Sequence, residues 1–166
     1  MRILGVDPGT INMGVGVIEL IDDSVTHLYS TTLKSSQKYD LPKRLSLLLD
    51  ELAIIVAKWK PDSIAIEHPF VGKNIKSALA IGQAQALAMI VAAKNDIELS
   101  MYSPSEVKKS VTDYGGSSKE QVRAMVNVIL DLNDEFMSTD SSDSLAVALC
   151  HYNAIRLTNI TEVEFR

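Results

Sequence analysis

The sequence has no pair of cysteines and no continuous apolar run of membrane-spanning length. Its one cysteine, Cys150, excludes an internal disulfide and a thiolate metal cluster, and its apolar helical setting indicates a packing role. No segment approaches the roughly 18 to 20 uninterrupted apolar residues of a membrane span, and the start reaches Asp7 too early for a signal peptide. We therefore expect a soluble, cytoplasmic protein that has no membrane partner.

An excess of positive charge is also missing. The 16 Lys and Arg against 21 Asp and Glu give a net charge of −5 at pH 7. Because Lys and Arg supply most of the non-specific affinity for nucleic acid, this balance alone argues against a protein that wraps DNA or RNA. A binding groove, however, depends on the local distribution of charge, and bound divalent ions cancel the charge of the acids that hold them.

Motifs for nucleotide cofactors are absent as well. No Gly-x-Gly-x-x-Gly follows the first strand and no Walker phosphate loop occurs, so nucleotide cofactors have little support. The 166 residues, of which 46% are hydrophobic, suffice for one globular domain with a real core. We expect a single domain over residues 1–158 and a short tail over 159–166.

The periodicity of apolar residues predicts an α/β fold. The first three strands are joined by short turns and indicate an antiparallel meander. Asp40 is predicted to cap the first helix, and Pro42 suits its first turn. Strands and helices then alternate, which predicts a mixed sheet flanked by helices. The predicted strands cover 2–6, 13–18, 25–33, 63–66 and 97–102, and the predicted helices begin at 41, 75, 104, 119 and 139, the last ending at 155.

Acidic residues stand where two of these strands end. Asp7 follows the first strand and Glu67 the fourth. Sites in parallel α/β sheets are built at the carboxyl ends of strands, so adjacent strands would bring these acids together. Asp140 and Asp143 share one face at the start of a helix. Carboxylates converging from rigid elements are what magnesium-dependent phosphodiester hydrolysis requires.

Each acid also has an ordinary structural interpretation. Asp140 and Asp143 suit a helix N-cap and its reciprocal partner, where the helix dipole favours negative charge. Asp7 belongs to a strand-ending turn with Pro8 and Gly9, and Glu67 is a loop acid before Pro69. From spacing alone these interpretations stay open beside the metal site.

Several blocks of residues occur in a fixed order along the chain. They are Leu4-Gly5-Val6-Asp7-Pro8-Gly9-Thr10, Gly14-Val15-Gly16-Val17, Ile64-Ala65-Ile66-Glu67, Phe70-Val71-Gly72-Lys73-Asn74, Ala78-Leu79 with Gly82-Gln83-Ala84, and Asp140-x-x-Asp143-Ser144-Leu145-Ala146. Together these blocks resemble the bacterial RuvC Holliday-junction resolvases. The resemblance runs from about residue 2 to about residue 154 and implies a ribonuclease H-like fold with a five-stranded mixed sheet. It also implies a homodimer, two Mg²⁺ per active site with Mn²⁺ as an alternative, and partners of the RuvA and RuvB type. The implied reaction is symmetric nicking of four-way DNA junctions.

The resemblance assigns roles to individual residues. Phe70 matches an aromatic suited to stacking on a base at the opened junction, with core packing as the alternative. Lys108 and Lys119 match basic residues that support activity or bind DNA, and a solvated helix face is the ordinary interpretation of such lysines. We assign Lys73 to DNA binding as well. The four catalytic, metal-binding acids are expected to be Asp7, Glu67, Asp140 and Asp143.

The sequence departs from the family pattern in two places. Ile11-Asn12-Met13 stands where polar or basic residues are more common in the family, and the tail after residue 158 is not basic. Three rival functions stay open: another nuclease or RNA-processing enzyme of the same fold, a sugar-kinase-like or actin-like ATPase, and a junction-binding module without catalysis. The ATPase needs a second domain that 166 residues do not supply, and the intact set of four acids speaks against the non-catalytic module.

Overall fold

The computed structural model describes residues 1–22, 24–68, 75–132 and 138–164, with side chains described as far as residue 158. The order of elements agrees with the sequence prediction, every predicted helix start coincides with the observed one, and most strand boundaries agree within one residue. The strands are β1 (Arg2–Asp7), β2 (Asn12–Ile21), β3 (Ser24–Lys34), β4 (Ser63–Glu67) and β5 (Glu98–Tyr102). The helices are α1 (Leu41–Trp59), α2 (Ile75–Lys94), α3 (Pro104–Thr112), α4 (Lys119–Leu130) and α5 (Thr139–Glu164).

The five strands form one mixed sheet in the order β3-β2-β1-β4-β5. β1, β2 and β3 are antiparallel neighbours, which confirms the predicted meander. β4 runs parallel to β1, and β5 runs parallel to β4. The carboxyl ends of β1, β4 and β5 therefore lie along the same edge of the sheet.

Helices cover both faces of this sheet. One core cluster joins the sheet to α1 and α2 through residues such as Leu4, Leu52 and Ala88. The other joins it to α3, α4 and α5 through residues such as Ile3 and Leu145. Because β1 is buried on both sides, its sequence is a continuous apolar run and does not alternate with polar residues.

Capping residues fix where the helices begin. The Asp40 side chain accepts a hydrogen bond from the backbone N–H of Lys43, which confirms the predicted cap of α1. α3 and α4 each begin with a capping box, formed by Ser103 with Glu106 and by Ser118 with Gln121. Such a box satisfies two backbone donors reciprocally and sets the start of the helix.

Helix α5 lies directly on the backbone of the central strands. A Cβ atom at Gly5 of β1 would overlap the backbone oxygen of Ser144, and a Cβ at Gly14 of β2 would overlap that of Asp140. Only glycine permits this approach. The helix continues to Glu164, nine residues beyond the predicted end at Ile155, because no glycine or proline interrupts that stretch.

Helix α2 is long and apolar enough to cross a membrane by length and composition. The core helix of a soluble protein passes the same test, and one face of α2 packs on the sheet and α1 through Ala84, Leu87 and Ala88. Its other face leaves Ile75 and Leu79 exposed. The many small side chains of this helix are typical of one that packs closely against a neighbour or a second subunit.

Candidate active site

Asp7 and Glu67 end neighbouring parallel strands. Val6 of β1 pairs with Ile66 of β4, so the acids that follow them are side by side at the sheet edge. Side chains alternate along a strand, and Gly5 meets α5 while Ala65 packs in the core cluster on the same face. Asp7 and Glu67 therefore both face α5. The prediction that adjacent strands bring them together is confirmed.

Helix α5 brings the other two acids to the same edge. Asp143 shares a cavity of about 220 Å³ with Asp7 and Glu67. Asp140 does not line the cavity, but its backbone lies against Gly14, which pairs with Asp7 across β1 and β2. The cavity is lined by Asp7, Glu67, Pro104, Val107, Lys108, Lys119, Val122, Asp143 and Ala146.

Burial and nearby negative charge change the ionisation of the two strand-end acids. Burial, together with the negative charges of Glu67, Asp143 and Asp140, raises the pKa of Asp7 from an ordinary 3.8 to about 7. Burial and Asp143 also raise the pKa of Glu67. A carboxylate pair or triad with little solvent resists full ionisation unless a cation joins it. The site is therefore electrostatically incomplete without positive charge.

Two lysines supply part of that charge. Lys119 Nζ donates a hydrogen bond to Asp143 Oδ2 at 2.6 Å, and this bond raises the pKa of the lysine. Lys119 lowers the pKa of both Asp7 and Glu67, and Lys108 lowers that of Glu67. The Lys119 side chain is 65% exposed against 16% for Asp143, so it reaches the cavity from its solvent side.

The connection between α3 and α4 positions both lysines, and sequence analysis missed it. The Thr112 hydroxyl donates to the backbone oxygen of Lys108 at 2.8 Å and lies 2.7 Å from the Ser117 hydroxyl. Ser118 then caps α4 directly before Lys119. Nothing in the sequence separates these hydroxyls from ordinary loop residues, because their role depends on the tertiary turn.

A second set of hydroxyls fixes the start of α5. Ser138 Oγ accepts from the backbone N–H of Ser141 at 3.2 Å and lies 2.6 Å from Thr32 Oγ1 of β3. Thr32 is 106 residues away in sequence, so no local pattern predicts this contact. It holds the turn that carries Asp140 against the sheet.

The donor set suits a hard divalent cation. Carboxylate oxygens are the ligands such ions prefer, and they come here from two strand ends and one helix. In the described ranges, no three His, Cys, Asp or Glu side chains are grouped closely enough to hold a metal as they stand. Asp143 accepts a hydrogen bond from Lys119, and the Lys119 ammonium provides positive charge beside Asp7 and Glu67, whose pKa values are raised.

The other predicted site residues and a second cavity give less evidence for a catalytic role. Phe70 and Lys73, both predicted to bind DNA, lie outside the described residues. A larger cavity of about 530 Å³ lies between α3 and α5 beside Tyr102 and Cys150. Cys150 is buried, which confirms its packing role, and burial raises its thiol pKa to about 11. A thiol that stays protonated is a poor nucleophile.

A five-stranded mixed sheet with acids at the ends of its central parallel strands is the architecture of the ribonuclease H-like class. Within that class, the family model "Crossover junction endodeoxyribonuclease RuvC" matches residues 3–151, and the chain belongs to this family. A Dehalococcoides mccartyi relative described by the same words is 42% identical over 161 residues, covering 97% of this chain and 98% of the relative.

Solved structures agree with this assignment. T. thermophilus RuvC in complex with Holliday junction substrate superposes with a TM-score of 0.88 at 25% identity, covering 95% of this chain and 96% of that one. The yeast mitochondrial resolvase Ydc2 shares the fold with a TM-score of 0.63 at 18% identity, covering 92% and 80% of the two chains. The chain is a Holliday-junction resolvase, a DNA-binding nuclease of recombination and repair.

Proposed function

We propose that Asp7, Glu67, Asp140 and Asp143 are the catalytic acids of this resolvase and that they hold two Mg²⁺ ions, with Mn²⁺ as an alternative. The observation that carries the proposal is the cavity that Asp7, Glu67 and Asp143 share, where burial and the charges of the other acids raise the pKa of Asp7. Isolated capping or turn acids would not shift one another in this way. Such mutual repulsion is relieved when cations bind.

The proposed roles follow from where each side chain is anchored. Asp7 ends the central strand, the most rigid position available, and is the natural bridging ligand. Glu67 and Asp143 flank it from β4 and α5. Asp140 lies outside the cavity lining and completes the shell or orients the attacking water. Bound divalent ions at such a site lower the pKa of a water and stabilise the leaving 3′ oxygen.

The lysines would act on the DNA phosphate. When an anionic phosphate enters the cavity, Lys119 is placed to transfer its hydrogen bond from Asp143 to a phosphate oxygen and to stabilise developing charge. Lys108, which also lines the cavity, adds a second positive charge. Phe70 and Lys73 remain proposed DNA contacts. The proposed products are nicks with 5′-phosphate and 3′-hydroxyl ends.

A second copy of the chain is part of the proposal. A four-way junction presents two equivalent strands, and a two-fold dimer places two identical sites symmetrically. The exposed face of α2 is the proposed contact. It forms an open, mainly apolar groove lined by Ile75, Ala78, Leu79, Gly82, Gln83 and Ala86. Small residues there allow two helices to approach closely.

The setting of this activity is also proposed. We assign the protein to the cytoplasm and expect it to act with branch-migration proteins of the RuvA and RuvB type. Residues 1–158 are proposed to form the single nuclease domain, with 159–166 as a terminal segment that begins as the end of α5.

Cleavage of a synthetic mobile junction tests the site assignment. With Mg²⁺ or Mn²⁺ we expect paired cuts at symmetric positions on opposite strands, and no cuts in EDTA. Asp7→Asn should bind the junction without cutting it. Asp96→Asn is the matched control, since Asp96 lies in the turn before β5 at the opposite edge of the sheet. Retained cleavage by Asp7→Asn would remove Asp7 from the site.

A further inference from the structure

Arg44 has a guanidinium group with too few partners. It lies in the first turns of α1, and its Nη1 donates to Thr10 Oγ1 across a long 3.4 Å. Its Nε is buried without a hydrogen-bond partner. No carboxylate forms an ion pair with it in the described part of the chain. A permanently charged group that has no carboxylate partner is costly to hold in this way, and an anion that joins it would stabilise it.

Arg44 reaches the edge of the sheet that carries the catalytic acids. Thr10 follows Asp7 by three residues in the loop between β1 and β2. Ser35 holds that loop, donating from Oγ to the Thr10 oxygen at 2.7 Å and from its backbone N–H to the Ile11 oxygen at 2.8 Å. α1 packs on the sheet face opposite α5. Arg44 therefore lies near the sheet edge that carries the acids, on the sheet face opposite the cavity.

The segment around Arg44 is positively charged, although the chain as a whole is acidic. Residues 34–44 hold four cations and one acid, a local charge of 4 − 1 = +3 in a chain of net charge −5. The acid, Asp40, directs its carboxylate to the backbone N–H of Lys43 as the helix cap. The loop from Pro8 to Asn12 has no charged residue of its own. The three lysines Lys34, Lys38 and Lys43 are exposed.

We propose that Arg44, together with the Thr10 hydroxyl, binds a backbone phosphate of the junction. Residues 34–44 then form a basic strip that guides a DNA arm along the α1 side of the sheet edge that carries the acids. The planar guanidinium offers several donors to one phosphate, and Thr10 adds a neutral donor beside it. Arg44 is partly exposed, so its guanidinium can meet a phosphate on the solvent side while the Nε atom stays buried.

Salt-dependent binding tests this assignment. The affinity for a four-way junction is measured in EDTA from about 50 to about 200 mM salt, where each lost phosphate contact reduces the slope of log K against log salt by about 1. We expect Arg44→Gln to reduce the slope by about this much and to weaken binding about tenfold at the lower salt. Arg44→Lys should keep most of the slope. Lys94→Gln, which removes an exposed charge at the opposite sheet edge, should change neither.

Each other outcome overturns the proposal. If Arg44 serves only to hold the loop, Arg44→Gln lowers the melting temperature and leaves the salt slope unchanged. If any lost charge weakens binding, Lys94→Gln has the same effect. Should Arg44→Gln fail to fold, the exposed pair Lys34→Gln/Lys38→Gln tests the same strip and must reduce the slope. Because binding in EDTA does not require the carboxylate site, failure here is separate from failure of the proposed catalytic acids.

Discussion

The Lys119 ammonium lies 2.6 Å from the Asp143 carboxylate at the cavity that Asp7 and Glu67 share. This contact joins α4 to α5 and links an exposed cation to a mostly buried acid. Because Lys119 also lowers the pKa of Asp7 and Glu67, it partly neutralises the whole cluster. The lysine is therefore electrostatically coupled to both the acids and any bound phosphate.

Removing Lys119 should slow cleavage more than it weakens binding. In Lys119→Met we expect junction cleavage to fall about 10–100-fold, since one group that stabilises charge on the phosphate is lost. Binding should weaken only a few-fold, as expected for one phosphate contact. Single-turnover cleavage and junction affinity are compared with those of Lys109→Met. Lys109 lines the separate cavity near Cys150, so equal losses in both variants would contradict a specific role.

Asp7→Asn should stabilise the metal-free protein at neutral and higher pH. The pKa of Asp7 is raised from 3.8 to about 7 in the folded state. Protonation of Asp7 therefore stabilises the folded protein fully below about pH 4, and this stabilisation is lost as the pH rises through 7. At about pH 8 the substitution should raise the unfolding free energy by about 1–3 kcal/mol, and at about pH 4 it should not. Denaturant unfolding in EDTA measures this. A variant less stable than the native protein at the higher pH would show that Asp7 is not destabilised by its neighbours.

Gly14→Ala should disrupt both stability and activity. The added Cβ would overlap the backbone oxygen of Asp140, so α5 must move away from β2. We expect a loss of about 1–3 kcal/mol or more in unfolding free energy, together with loss of cleavage. Gly82→Ala is the control for stability only, because a Cβ there meets nothing within 4 Å in the same chain and alanine favours a helix. Thermal unfolding of both variants checks the difference, and a neutral Gly14→Ala would contradict the close approach of α5.

Leu79→Glu should separate the proposed dimer. Leu79 is 64% exposed on the apolar face of α2, and a buried unpaired carboxylate at an interface is costly. Sedimentation at several concentrations should show a shift from dimer to monomer, with paired cuts replaced by single nicks. Val128→Glu, at a site on α4 that is 74% exposed, should stay dimeric. A native protein that is monomeric at every concentration would remove the dimer from the proposal.

The sequence predicted the elements well because local signals are strong here. Asp40 caps α1, and acids end β1 and β4 where apolar runs stop, so the pairing of Asp7 with Glu67 followed from strand order. Other features depend on contacts between distant residues. The Lys119–Asp143 bond, the Thr32–Ser138 contact and the unpaired Arg44 group arise only when the helices pack. The assignment of the sequence blocks to one junction resolvase came from family resemblance and is confirmed by the comparisons.

The close contact of α5 with Gly5 and Gly14 places the proposed catalytic acids on elements that we expect to be the best protected from hydrogen exchange. The backbone amides of β1 and of the buried turns of α5 should exchange hydrogen only through global unfolding, because local opening would have to separate the helix from two central strands. Asp7 and Asp143 are then held by one cooperative unit. A metal bound between them would be released by whole-domain unfolding or by its own dissociation, and not by fraying of a surface loop.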